Sequence, residues 1–529
     1  MKKRDYLFSV LAFMLMIYIC LICTIGRPFD GNGDTLFLWN RAKQVYNCLL
    51  DGKYPFFYYN DFTGVGHGSS FFYGQLTLLP FIPLVAVGIK EFMMSYILTF
   101  VVLSYFGVCS LAKRFTSDYR FVGLLYLSSS LFVQLTWYNV TYSCYLAIAI
   151  AFFFLAQCVD VFRDGKSCLR ASLLFLLIFN THTITTLMAF IGCVLLFIYY
   201  FNFKQIKKYL EFAGLTLCLC SYNIINYISH MDCLRDLDTI NANFNFFSPS
   251  TSQCTLSPLV FGGGIWTFLY SLIFGEAVDV GMRICNLSVA LVLIICMIKG
   301  FKTVRHIPLY LLSIFGIVLG IRHSWSYLFE YWKVPIQFPI RYLPFLFVFL
   351  LILCVRNFKS SVLKVLIGIL VTVDIFVFGM IGVEPAEKSW DSFEMVGNGE
   401  YLSDNFIFDK DIFTKYSKNV IGNDGAEYSY EIDKDKLIVN LETNTSSTIT
   451  VPKLYYNGYS VVDTEGNPHG CYEGYSMFTE INVNGFKGTL IVQYQHPMYL
   501  VLLLCFVYLV SISVFIVDII NSIRNRKKV

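Results

Sequence analysis

The chain has 529 residues, of which 56% are hydrophobic and only 14% charged, and its mean hydropathy is +0.60. Soluble domains run at roughly 45–50% apolar and about 25% charged, so this balance excludes a single soluble globular enzyme; it also excludes disorder, which needs the opposite balance. The formal charge of +4 divides sharply, because residues 383–496 hold 8 Lys and no Arg against 8 Asp and 10 Glu, net −10, and the remainder of the chain is net +14.

The apolar residues fall in runs too long for ordinary core helices, which points to a polytopic membrane protein. The first run, Tyr6–Ile25, is preceded by Lys2, Lys3 and Arg4 and followed by Gly26-Arg27-Pro28-Phe29 rather than a small-x-small cleavage site. It reads as an uncleaved helix with its N-terminus in the cytosol. Further runs are Phe92–Ala112, Phe121–Tyr138, Tyr142–Phe162, Ala171–Asn180, Thr183–Phe201, Leu210–Ser229, Ile284–Ile298, Pro308–Gly320, Tyr342–Val355, Val365–Gly382 and Met498–Ile519, twelve with the first. Several are shorter than the ~20 residues needed to cross ~30 Å of hydrocarbon, so their ends must extend into flanking residues.

Seven basic clusters lie between the runs: Lys2–Arg4, Lys113/Arg114/Arg120, Arg163/Lys166/Arg170, Lys204/Lys207/Lys208, Lys299/Lys302/Arg305, Arg356/Lys359/Lys364 and Arg524/Arg526/Lys527/Lys528. Together they hold 22 of the 40 Lys and Arg. Positive-inside bias places all seven in the cytosol, and twelve spans satisfy this with both termini cytosolic. Two other apolar segments, Phe71–Ile89 and Leu256–Phe274, contain helix breakers: Gly74, Pro80 and Pro83 in the first, Pro258 and Gly262 to Gly264 in the second. They read as interfacial or re-entrant pieces on the outer face, since irregular backbone at membrane depth is tolerated only against protein or a water-filled cavity.

This divides the chain into a multi-span membrane domain (1–382) with a large first external loop (26–70), an extracytoplasmic β-rich domain (383–497), and a final membrane helix with a basic cytosolic tail (498–529). Within the acidic domain, period-2 patterns occur at Lys436–Leu441, Phe478–Val483 and Thr489–Tyr494, separated by the turn signals Asn457-Gly458, Glu465-Gly466-Asn467-Pro468 and Asn484-Gly485. The expected fold is a small antiparallel β-sandwich or jelly roll. No Walker A loop, GxGxxG or metal-ligand spacing occurs, so no cofactor or metal is indicated. The basic residues form no continuous stripe, which argues against nucleic acid as a partner.

The first loop is the most informative stretch. After Asp30-Gly31-Asn32-Gly33-Asp34, apolar residues recur at Leu38, Ala42, Val45 and Leu49, with Arg41, Lys43 and Gln44 on other faces and Gly52 placed to cap the C-terminus. The spacing predicts an amphipathic helix near the outer interface. Two readings of Asp34 stand side by side: an N-cap of that helix, or a reactive carboxylate just outside the first membrane helix. His67, in Gly64-Val65-Gly66-His67-Gly68, reads alone as a structural hydrogen-bonder. His182, in Asn180-Thr181-His182-Thr183, sits at the turn of a short helical hairpin and either satisfies that turn or contacts a ligand. Arg341 begins a helix on the outer side, against the positive-inside bias, and snorkelling to headgroups is its bland explanation.

Gly33-Asp34, the amphipathic helix, Gly52-Lys53-Tyr54-Pro55, Gly64-Val65-Gly66 and Phe72-Tyr73 resemble the first-loop signature of the GT-C superfamily of membrane glycosyltransferases. The nearest resemblance is to the bacterial YfhO-type and 6-pyruvoyl-tetrahydropterin-synthase-related membrane families. Gln337-Phe338-Pro339-Ile340-Arg341-Tyr342 is similar to an element entering a late helix of those families. Leu454-Tyr455-Tyr456-Asn457-Gly458-Tyr459-Ser460-Val461 is similar to the lead-in of the YfhO-type external β-domain, with Tyr459 where tryptophan is common.

The resemblance implies a transferase that takes a sugar from a polyprenyl-phosphate carrier and delivers it to an extracytoplasmic cell-envelope glycan or teichoic-acid-like acceptor. The family's catalytic acid maps onto Asp34, acting as general base on the acceptor hydroxyl. Substrate contacts are expected from Asp61, His67, Tyr73, His182, Arg322, Gln337 and Arg341, with Arg341 stabilising the lipid phosphate as it leaves. The rival readings are a flippase for a lipid-linked saccharide and a non-catalytic envelope-assembly protein.

Overall fold

The computed structural model describes residues 3–24, 33–55, 64–66, 68–129, 131–132, 142–231, 289, 292–295, 343–380, 403, 405–407, 409–423, 425–443 and 446–526. Among them, six helices are long and apolar enough to cross a membrane: Lys3–Cys23, Ile89–Ala112, Ser143–Asp164, Thr183–Tyr200, Phe203–Ser229 and Met498–Asn521. Two shorter apolar helices, Leu169–Thr181 and Pro344–Arg356, accompany them. The chain is a membrane-embedded helical protein with a strand-rich C-terminal domain.

The described helices are α1 (Lys3–Thr24), α2 (Gly33–Leu50), α3 (Ser69–Phe72), α4 (Ile89–Ala112), α5 (Tyr119–Leu127), α6 (Tyr142–Asp164), α7 (Leu169–Thr181), α8 (Thr183–Tyr200), α9 (Ile206–Ser229), α10 (Leu343–Arg356), α11 (Ser361–Met380), α12 (Lys410–Lys418) and α13 (Met498–Arg526). Six spans among the described residues are fewer than the twelve expected from the apolar runs. Pro308–Gly320 and Leu256–Phe274 fall outside the described residues, and Ile284–Ile298 is described only at 289 and 292–295. Where the run Phe121–Tyr138 predicted one span, α5 stops at Leu127. The Ser128 hydroxyl donates to the Leu124 carbonyl at 2.8 Å and the Ser129 hydroxyl to the Tyr126 carbonyl at 2.7 Å, so serine side chains occupy the terminal helical carbonyls.

Phe71–Ile89 forms no single long helix. It comprises the end of α3, a turn and a 3-10 helix at Leu79–Ala86 with Pro80 in its first turn and Pro83 inside. Eight residues at the 3-10 rise reach only about 16 Å, well short of a ~30 Å hydrocarbon core.

α6 is the centre of the helical part and packs against α4, α7 and α8. At one end of the bundle the basic clusters converge on buried acids. Arg4 and Lys364 both reach Asp118, the former at 2.6 Å. Arg114 and Lys166 share Asp160 at 2.8 and 3.2 Å, and Arg170 meets Asp518 of α13 at 2.8 Å. Elements from both termini are thereby tied to one ionic layer.

The strand-rich domain consists of two five-stranded sheets in which every pairing is antiparallel. Its strands are β1 (Val420–Gly422), β2 (Glu427–Tyr428), β3 (Tyr430–Asp433), β4 (Lys436–Glu442), β5 (Ser446–Leu454), β6 (Tyr459–Asp463), β7 (Pro468–His469), β8 (Cys471–Glu473), β9 (Phe478–Asn484) and β10 (Lys487–Tyr494). The sheet orders are β2-β1-β5-β9-β8 and β3-β4-β10-β6-β7. Leu437, Val439 and Leu441 of β4 alternate inward, as do Leu490 and Val492 of β10, and they share one core with Ile449, Val451, Ile481 and Val483 of the facing sheet. That core continues out of the domain into Val65, Phe71 and Phe72 of the first-loop region.

Gly74 sits where two segments meet with no room for a side chain. A Cβ there would lie 2.0 Å from Asn180 Oδ1 and 2.9 Å from Asn180 Cα. Because one of those contacts is backbone, rotamer change cannot relieve it. Gly74→Ala is expected to destabilise the protein by about 1–3 kcal/mol, read as a lower apparent Tm of the detergent-solubilised chain.

Candidate functional site

The predicted first-loop helix exists as α2, and Gly52 ends it with φ +69°. It begins at Gly33, so position 34 falls in its first turn. Its setting differs from the expectation. No residue from Thr35 to Cys48 is fully exposed. Leu38, Ala42 and Val45 pack into the helical core, while Phe37 packs on the cluster that runs from the 65–73 segment into the β-rich domain, its ring 6.2 Å from that of Tyr73. Most of the helix is therefore covered by protein.

This cover changes the status of Arg41, which the apolar periodicity assigns to a polar face. Arg41 is only 2% exposed. Its guanidinium lies 4.8 Å from the ring centroid of Tyr73 and 5.8 Å from that of Phe37, a cation–π arrangement that favours charge. Nη2 points to the carbonyls of Gly74 at 3.3 Å and Tyr73 at 3.5 Å. Residues seven apart return to the same helix face, so positions 34 and 41 share one side of α2, about 10 Å apart along the axis. Gln44, one turn further, is 3% exposed, and Gln75, which follows Gly74, is 8% exposed. Gln44 Nε2 and Gln75 Oε1 are buried without a hydrogen-bond partner.

The segment beside Arg41 is held residue by residue. The Phe71 carbonyl accepts from Asn226 Nδ2 at 2.6 Å and the Phe72 carbonyl from the Thr183 hydroxyl at 2.8 Å. Thr181 donates to Thr77 Oγ1 at 3.2 Å. These contacts seat the segment on the tip of the α7–α8 hairpin, whose single connecting residue is His182. His182 is buried, and its Nδ1 accepts from the Thr185 amide at 3.2 Å, making it the N-cap of α8. Its ring centroid lies 5.6 Å from that of Tyr73. Of the two readings of His182, satisfaction of the turn is the one seen, and it brings the imidazole against Tyr73 as well.

Of the residues read from the sequence, Tyr73 and His182 come together beside α2. Asp61, His67, Arg322, Gln337 and Arg341 lie outside the described residues, as does the side chain of Asp34. Arg41, Gln44 and Gln75 were not anticipated as site residues. The signal for Arg41 was its seven-residue spacing from Asp34; nothing local to the sequence marks the burial of any of the three. Among the described residues, no group of three or more His, Cys, Asp or Glu is placed to hold a metal ion.

Arg41→Met removes the donor from the Tyr73 and Gly74 carbonyls without changing side-chain length greatly. Amide exchange across residues 73–77 is expected to rise about tenfold, the equivalent of one lost charged hydrogen bond, with Arg41→Lys intermediate; hydrogen–deuterium exchange by mass spectrometry measures this. Comparison with family models, curated proteins and solved structures finds no match for this chain.

Proposed function

We propose that the protein is an integral membrane glycosyltransferase of GT-C type that moves a sugar from a polyprenyl-phosphate carrier to an extracytoplasmic envelope glycan. The observation that carries this reading is a fully buried arginine on the same face of α2 as position 34, flanked by Tyr73 and two buried glutamines. In this reading the guanidinium, held against the Tyr73 and Phe37 rings, meets the anionic group of the donor.

In this reading Asp34 takes the proton of the acceptor hydroxyl as the sugar–phosphate bond breaks. Arg41 stabilises the charge that develops on the lipid phosphate, a role the sequence alone would give to Arg341. A guanidinium suits it, being permanently charged and matched to phosphate oxygens. Gln44 Nε2 supplies a donor and Gln75 Oε1 an acceptor, a pair suited to sugar hydroxyls. Tyr73 and Phe37 give the apolar wall against which a sugar ring rests. The ionic layer of Arg4, Arg114, Arg170 and Lys364 at the other end of the bundle supports a cytosolic position for that end, with α2 and the β-rich domain outside.

The test is transfer in proteoliposomes supplied with a polyprenyl-phosphate sugar. Asp34→Asn is expected to lower kcat by at least about a hundredfold, as for loss of a general base. Arg41→Lys should reduce it by about tenfold or more through loss of the bidentate fork. Both variants should retain wild-type expression. Full transfer by Asp34→Asn removes Asp34 as the base. Movement of intact lipid-linked sugar without release of free polyprenyl phosphate replaces the transferase by a flippase.

A further inference from the structure

A second cluster lies at the joint between the β-rich domain and the helices, outside the site around Arg41. His230 follows α9 and is 2% exposed; its Nδ1 donates to the Asn226 carbonyl at 2.8 Å. The Phe71 ring stacks on it at 4.0 Å with an interplanar angle of 9°. His496 lies in the short link between β10 and α13, with Nδ1 3.2 Å from the Tyr494 hydroxyl and Nε2 3.4 Å from the Tyr222 hydroxyl. The two imidazoles are parallel within 7°, with centroids 6.4 Å apart. Phe71 also packs on Tyr456 and Tyr494 of the β-rich domain, at 5.5 and 5.6 Å. The histidine pair therefore lies against the aromatic residue that joins the two parts of the molecule.

We propose that His230 and His496 form an acid-released latch, which holds the β-rich domain on the 64–74 segment while both rings are neutral and frees it when they charge. Two imidazolium rings at this separation repel, and both must lose water to stay in place. Burial holds His230 below the usual imidazole range, and burial together with its neighbour His230 holds His496 down at about 3. The sign follows from proton uptake. The open joint binds protons more readily than the closed one, so closure is strongest above about pH 6.5 and weakens as pH falls below it.

The groups facing the pair are Phe71 on α3, Tyr222 and the Asn226 carbonyl on α9, and Tyr494 on β10. Tyr54 and Tyr508 lie next to Tyr222, and Tyr499 of α13 bonds Ser229 at 3.0 Å. Among the described residues, the charged groups at the same joint include Lys453, whose Nζ donates to the Gly64 carbonyl at 2.7 Å, and the pairs Lys53–Asp435 and Lys434–Asp51, which pull the domain onto the end of α2. This proposal does not depend on the transferase reading.

Hydroxyl-radical footprinting of the full chain in nanodiscs tests it. Between about pH 7.5 and 5, modification of Phe71 and Tyr456 is expected to rise about tenfold, reversibly, while Phe478 inside the β-core stays protected. His230→Gln with His496→Gln should abolish the rise. Asp435→Asn, which leaves the pair intact and removes an ion pair that holds the domain, should still open reversibly, with its midpoint at the same or a higher pH. Unaltered protection of Phe71 down to about pH 4 overturns the proposal, as does a parallel rise at Phe478, or an Asp435→Asn variant that no longer opens. If the double variant does not fold, His496→Gln alone decides, since loss of one of the two rings should shift the midpoint to lower pH, and an unchanged midpoint overturns the proposal.

Discussion

Four consecutive carbonyls, those of Phe71, Phe72, Tyr73 and Gly74, are held by side chains from three separate helices: Asn226 of α9, Thr183 of α8 and Arg41 of α2. A buried carbonyl must find a donor or lose about 1–3 kcal/mol. Here the backbone is too irregular to satisfy itself, so the helices supply the donors. That requirement fixes the first loop on the bundle and orients Tyr73 against Arg41 and His182. The β-rich domain then docks on the same segment. Lys453 Nζ donates to the Gly64 carbonyl at 2.7 Å, the Leu454 amide to the Val65 carbonyl at 2.9 Å, and Tyr456 closes on Phe71.

The charges of the molecule are sorted by the same need for partners. At one end of the bundle, basic residues share Asp118 and Asp160, so that each acid offsets more than one cation. At the other end, among the described residues, Arg41 lies inside aromatic walls and Lys53 on Asp435. The acidic strand-rich domain covers this second end. Its contacts are mostly aromatic and backbone in kind, which suits a joint whose two histidines are kept neutral by burial.

Much of the helical fold was legible in the sequence because an apolar run in a membrane protein has one stable conformation. α6, α8 and α13 begin where their runs begin, α4 ends where its run ends, and α2 ends just before the glycine that periodicity marks. The end of α5 at Leu127 was not legible, since Ser128 and Ser129 are tolerated in a span and their residue types mark no turn. In the candidate site, Tyr73 and His182 were named for their residue types and do meet. Arg41 was assigned to a polar face because hydropathy counts it as polar wherever it lies. Its guanidinium is enclosed by the Tyr73 ring and the Tyr73 and Gly74 carbonyls, 32 and 33 residues further along the chain.

The sequence by itself determined local conformation and charge distribution: the apolar runs, the basic clusters between them, the inward alternation of β4 and β10, and the turns at Asn457-Gly458 and Asn484-Gly485. Each of those depends on residues within a few positions of one another. The tertiary structure alone decided that β4 pairs with β10 and β5 with β9, that Lys453 reaches Gly64 across 389 residues, and that an arginine of the first loop becomes a core residue. Period-2 alternation says which face of a strand is buried and is silent on its neighbour. Likewise, the environment of a polar side chain is set by what packs over it, and for Arg41 that cover includes Tyr73 and Gly74, brought back onto α2 by the fold of the first-loop region.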